Sequence, residues 1–157
     1  MALAGMTQEQ TNEENRNHCK YIAEQVELYA SGDAYRCPHC GEVFDHDGIA
    51  ESERENAASI VCYTCPHCKE EIEESDLDPV SLYDFFGDCY DIEFRCDSQK
   101  EYRSVCIMVA FGGPNIYIDT ASKQVELYWW SDRASYLLSY DAVVAVDDWA
   151  EEYWNCL

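Results

Sequence analysis

From Thr11 to Ala30 the chain carries neither proline nor glycine, and apolar positions return at Cys19, Ile22, Ala23, Val26, Tyr29 and Ala30. Spacings of three and four put them on one side of a helix, with Glu13, Glu14, Glu24 and Glu27 at other angles. Ser31-Gly32 supplies the stop signal. Farther along, the chain shows strand signals. "CYDIEFRCD" (89–97), "YRSVCIMVAF" (102–111), "NIYIDT" (115–120) and "QVELYWWS" (124–131) read as strands, with "SYLLSY" (135–140) as a weaker fifth. "GGP" at 112–114 and "TASKQ" at 120–124 punctuate them. Pro79 after an Asp78 cap is expected to open a short helix through Phe86. From Asp141 the period lengthens again, and Ala142, Val146, Trp149, Ala150 and Tyr153 form one helical stripe.

No strand–helix–strand alternation appears, so the expected class is α+β. The expected order is an N-terminal helical segment (1–35), a small cysteine unit (36–72), and an antiparallel sheet closed by a C-terminal helix (73–157). The run "KEEIEESDLD" (69–78) holds six carboxylates and one lysine; it reads as a solvated helix or linker, and the boundary is placed there.

The middle of the chain is organised by cysteine. "RCPHCGEVF" (36–44) returns 28 residues later as "TCPHCKEEI" (64–72). A Cys-x-x-Cys turn sets two sulfurs on one side of a metal ion, and two such turns complete a tetrahedron. Cys37 and Cys40 form the first pair and Cys65 and Cys68 the second, with 24 residues between them. The unit resembles a zinc ribbon, and one structural Zn²⁺ is the expected cofactor. Cys62, His39 and His67 are alternative ligands within reach in sequence. Cys-Pro-His-Cys also resembles the redox turn of thioredoxin-fold enzymes, but the strand–helix setting of that motif is absent and it occurs here twice. The nucleobase-deaminase pattern needs His-x-Glu before Pro-Cys-x-x-Cys, which is not present. Of the remaining cysteines, Cys96 and Cys106 are expected as small buried hydrophobes, and His18 and His46 as surface residues.

Composition narrows the function classes. Apolar residues make up 47% of the 157, enough for a real core. Against 32 Asp and Glu stand 10 Lys and Arg, a net charge of −22. That balance repels phosphate backbones and anionic membranes and favours basic partners at long range. Between Cys37 and Cys68 there is one basic residue, Arg54, against six acidic ones, so direct nucleic-acid binding is not expected. No stretch approaches a membrane span and no secretory signal is recognised; a cytoplasmic location with reduced cysteines is expected.

Alternation through "NIYIDTASKQVELYWWSD" (115–132) sends Ile116, Ile118, Val125, Leu127 and Trp129 to one face of the sheet. Tyr117, Asp119, Glu126, Tyr128 and Trp130 take the other, with Asp132 following. Two readings stand for these six residues: aromatics half-buried beneath a helix, or a protein-binding surface with Tyr and Trp anchors among carboxylates that meet Arg or Lys. No nucleophile triad, phosphate loop or dinucleotide turn is present in a convincing context, and no catalytic residue is assigned.

The phrases "FGGPNIYIDT", "VELYWWSD" and "DDWAEEYWNC" resemble small acidic proteins of phages and mobile elements of low-GC Gram-positive bacteria, some of which inhibit type II CRISPR nucleases. Joined to a cysteine-rich metal unit, they are similar to a zinc-containing type II-A anti-CRISPR protein. The likeness covers about 110–157, and no catalytic residues follow from it. It implies a non-enzymatic inhibitor that binds the effector nuclease in the bacterial host and blocks guide or target DNA loading. The alternatives are an acidic DNA mimic or adaptor acting on another host DNA-binding protein, and a zinc- or thiol-dependent enzyme.

Overall fold

The computed structural model describes residues 7–46, 51–54 and 60–157, with 51–54 and Ile60 described by backbone alone. The chain divides into two compact units, Ser31–Ser81 and the remainder, in which the first helix joins the C-terminal sheet. This differs from the three segments expected, in which 1–35 stood alone. The apolar stripe of the helix has no core of its own to cover, and the sheet supplies one.

Helix α1 spans Gln8–Ala30 and buries Cys19, Ala23 and Val26. The cysteine unit follows with strands β1 (Ala34–Arg36), β2 (Val43–Asp45), β3 (Glu51–Arg54), β4 (Ile60–Thr64), β5 (Glu71–Glu73) and β6 (Asp78–Pro79). They form two antiparallel three-stranded sheets, ordered β2-β1-β6 and β3-β4-β5. Phe44, Ile72, Cys37 and Cys65 make the core, with Tyr35, Cys68 and Leu77 packed on it.

Two expectations are corrected here. The acidic run 69–78 is neither a helix nor a linker: it holds β5, a 3-10 turn at Glu74–Asp76 and the start of β6, and it buries Ile72. Its carboxylates face solvent while Ile72 and Leu77 pack on the core, so the chain stays with the unit until Ser81. Pro79 does not open a helix. It pairs with Tyr35 at the edge of a sheet, where the missing N–H costs no ladder bond, and helix α2 is only Leu82–Phe85.

The second unit continues with β7 (Asp91–Cys96), β8 (Tyr102–Ala110), β9 (Asn115–Asp119), β10 (Gln124–Trp129), β11 (Asp132–Leu137) and helix α3 (Tyr140–Asn155). All five strands pair antiparallel with their sequence neighbours, in the order β11-β10-β9-β8-β7. Val105, Ile107, Ile116, Ile118, Val125 and Leu127 point to one face and are fully buried. Ala142, Val143, Val146, Trp149 and Ala150 of α3 close over them together with the α1 stripe. The Ser139 hydroxyl caps α3, accepting the Ala142 amide at 3.2 Å. The expected α+β order of helix, cysteine cluster, antiparallel sheet and terminal helix is what the structure has. Among the described residues no helix is long and apolar enough to cross a membrane.

Candidate functional site

The two Cys-Pro-His-Cys segments are equivalent loops. The first connects β1 to β2, where Arg36 pairs with Val43; the second connects β4 to β5, where Thr64 pairs with Glu71. In each, the first cysteine's amide donates to a carbonyl five residues on, Cys37 to Glu42 and Cys65 to Glu70, both at 2.9 Å. Its carbonyl accepts the amide four residues on, from Gly41 at 2.9 Å and from Lys69 at 3.1 Å. The histidine amide points at the first sulfur, His39 to Cys37 and His67 to Cys65, at 3.4 Å in both cases. Such closure needs a left-handed residue after the second cysteine. Gly41 takes φ +78° freely, and Lys69 takes φ +67° in the same place against the preference of an L side chain.

Four sulfurs converge between the loops. Those of Cys37, Cys40, Cys65 and Cys68 all lie within 4.8 Å of one another. Cys37 is 3.8 Å from Cys68 and Cys40 is 3.9 Å from Cys65. A tetrahedron with metal–sulfur bonds of ~2.3 Å has edges of about 3.8 Å, so the spacing fits a four-coordinate ion. Crowding splits the titration of the thiols. Desolvation opposes ionisation of Cys37, but the backbone amides of Cys40 and His39 and the neighbouring sulfurs bring its pKa down to about 7. For Cys40 a backbone amide also favours the thiolate, yet desolvation and the other sulfurs push it up to about 12. A divalent cation removes that conflict by stabilising all four thiolates together.

The alternative ligands are occupied elsewhere or sit outside the group. The His39 ring donates through Nε2 to the Glu71 carbonyl at 3.2 Å, which ties the first loop to the strand leaving the second. Cys62 is fully buried in β4. His46 is half-buried, with its ring 5.6 Å from that of Tyr35 and 4.7 Å from that of Tyr63. These two tyrosines precede their cysteines by two residues in each loop, so the repeat extends beyond the ligands.

The aromatic and acidic residues of the sheet are only partly gathered. Tyr117 and Tyr128 lie side by side, ring centroids 5.9 Å apart, on the face away from α1 and α3; no helix of this unit covers them among the described residues. Asp119 and Glu126 share that face, but both carboxylates are engaged. Arg95 grips Asp119 with two hydrogen bonds, 2.8 and 2.9 Å. Glu126 accepts from the Tyr128 hydroxyl at 2.6 Å and from Ser122 at 3.0 Å. Burial opposes the charge on Asp119, yet Arg95 and the Ala121 and Ser122 amides hold its pKa below the ordinary carboxylate value. Trp130 departs from the expected face: it sits in the turn between β10 and β11 and is 84% exposed. Asp132 accepts a hydrogen bond from Gln8 of α1 at 2.9 Å. Cys106 is half-buried on the open face, and Cys96 is exposed instead of buried. Sequence reasoning missed Arg95, whose only signal was its place two residues from Glu93 on the outward side of β7.

Compared with protein-family models, curated proteins and solved structures, the chain matches none.

Proposed function

We propose that the protein is a non-enzymatic acidic inhibitor, held together by one structural zinc, that docks on a basic surface of a nucleic-acid-handling protein. The observation that carries this reading is the four-cysteine cluster in a chain of net charge −22. Four thiolates fill a tetrahedral shell, which leaves no position for a water or a substrate, unlike a catalytic zinc. The filled shell would carry a further net −2, so the unit gains no attraction for phosphate. Zinc is the ion proposed because a closed four-cysteine shell is a common structural zinc site; a colourless protein with about one zinc per chain is the expected preparation, and a coloured, iron-bearing one overturns the choice of metal.

Charge of this size acts at long range and steers association with a partner whose own nucleic-acid channel is basic. The type II CRISPR effector nuclease is the named partner, and it rests on the sequence likeness over 110–157 alone. The test is target cleavage by a type II-A effector, with the protein added before guide, after guide, or after target DNA. Loss of cleavage that depends on the order of addition is expected and identifies the blocked step. Full cleavage in every order at low salt removes this partner. A host-lysate capture that recovers restriction or transcription subunits would then favour the DNA-mimic reading.

A further inference from the structure

One end of the five-stranded sheet is lined by aromatic side chains; Trp129 packs partly on the core, whereas Tyr90, Phe111 and Trp130 stand outside it. β7 begins there, β8 leads into Phe111, and β10 turns through Trp130 into β11. The rings stand in two pairs: Tyr90 and Phe111 have centroids 6.3 Å apart, and Trp129 and Trp130 likewise lie 6.3 Å apart. Tyr90 and Phe111 are each 63% exposed and Trp130 is 84% exposed. Burying them would have been the default for residues of this size.

Trp130 also pays a conformational penalty. It has φ +54° at the first position of a two-residue hairpin turn, between the paired Trp129 and Asp132. Glycine, asparagine or aspartate normally fills such a position, and a bulky side chain there is an outlier. Lys69, Lys100 and Lys123 take similar positive φ in their own turns; what sets Trp130 apart is a large aromatic side chain that gains no burial there.

The charges at this end share one sign. Asp88 and Asp91 flank Tyr90. Asp132 follows the turn, and its bond to Gln8 brings the first turn of α1, with Glu9, to the same place. Among the described residues the cation next to this turn is Arg133, and it is folded back over the Tyr128 ring, 5.1 Å from its centroid. Lys100 and Lys123 belong to turns at the opposite end of the strands, and Arg103 stands at that end as the second residue of β8.

We infer that the Tyr90–Phe111–Trp129–Trp130 end of the sheet is the docking surface for an arginine-bearing segment of a partner protein, with guanidinium groups over the rings and in reach of Asp88, Asp91 and Asp132. Guanidinium is the matching chemistry because it is weakly hydrated, stacks on aromatic faces and pairs with carboxylates at once. Lysine satisfies the charge but stacks less well, and a second copy of this chain is repelled. The inference rests on the reading above of the protein as a binder of basic surfaces, and it moves the interface from the open sheet face to the sheet end.

The test is fluorescence anisotropy of labelled deca-arginine and decalysine peptides, titrated with the zinc-loaded full chain at physiological salt. Trp130→Gly separates binding from folding, because glycine accepts φ +54°. W130G is expected to keep the wild-type melting midpoint and to weaken deca-arginine binding by about tenfold, with a smaller change for decalysine. Asp148→Asn, an exposed change on α3, is expected to bind like wild type. Deca-arginine affinity unchanged in W130G, or equal losses in W130G and D148N, overturns the assignment of this surface. Failure of the wild-type chain to bind either peptide overturns the basic-partner reading itself.

Discussion

At the scale of single residues, the Arg95–Asp119 pair shows how an acidic protein keeps a carboxylate away from a partner. Asp119 has 13% of its side chain exposed, and its two oxygens face the Arg95 fork. Its folded pKa lies below the unfolded value of ~3.9. The sign follows directly. Stability from this group is present above the unfolded pKa and is lost as pH falls through the folded pKa. Arg95→Met leaves a half-buried carboxylate without its cation. It is expected to cost the sheet unit about 1–2 kcal/mol at pH 7, discounted because Arg95 is partly exposed. The difference from wild type should shrink as pH falls through the depressed folded pKa of Asp119, and vanish at a pH low enough to protonate its carboxyl in the folded protein. All four tryptophans, 129, 130, 149 and 154, lie in the sheet unit, so urea unfolding followed by their fluorescence reads it alone. An equal cost at both pH values would assign the effect to lost packing of the arginine stem.

At the scale of elements, the two cysteine loops form a natural experiment in backbone conformation. Gly41 and Lys69 occupy equivalent left-handed positions, and a Cβ at Gly41 meets no atom within 4 Å. Gly41→Ala therefore adds backbone strain and no clash, and is expected to weaken the metal unit by about 1 kcal/mol. Lys69→Gly relieves strain of about 1–2 kcal/mol but adds about 0.5–1 kcal/mol of unfolded-chain entropy, so it should be neutral to slightly stabilising. Zinc transfer to a competing chelator, measured on both variants, tests the asymmetry; similar losses in both would mean that the Lys69 contact to the Pro66 carbonyl at 2.6 Å matters more than its φ. Elements of this kind were legible in the sequence wherever the signal was local. Cys-x-x-Cys spacing, the helical stripes of α1 and α3, and the alternation of β9 and β10 all announce themselves over a few residues. The 69–78 run was misread because two apolar residues, Ile72 and Leu77, were outvoted by six carboxylates, although Ile72 is buried. Trp130 was assigned to a face because alternation was carried one residue past the end of the strand. The Arg95–Asp119 pair joins residues 24 apart on strands separated by β8, and no local pattern encodes that.

At the scale of the whole molecule, the two units differ in what holds them together. The sheet unit has a continuous core from two long helices and five strands. The unit of residues 31–81 buries eight hydrophobic residues among those described, mostly small side chains and cysteines, and only Cys37, Phe44, Cys65 and Ile72 gather into one cluster, two of them candidate metal ligands. A domain this small seldom buries enough apolar surface to fold unaided. Structural zinc contributes about 10–16 kcal/mol in finger peptides at neutral pH, enough to decide the folding of such a unit. Removal of the metal by a strong chelator is therefore expected to abolish amide-exchange protection in the described strands of 31–81 while protection persists in β7 to β11 and α3. Tryptophan fluorescence should barely change. Cys65→Ser, which removes a fully buried ligand, should reproduce the chelated state without chelator and reduce bound zinc severalfold. Protection lost together across both units would mean that the sheet depends on the metal unit for its stability, and that zinc is a staple for the entire protein. Protection retained in 31–81 after complete zinc removal would instead show that the strands and the Tyr35–His46–Tyr63 contacts suffice, and would leave the cysteine cluster free for a role other than structure.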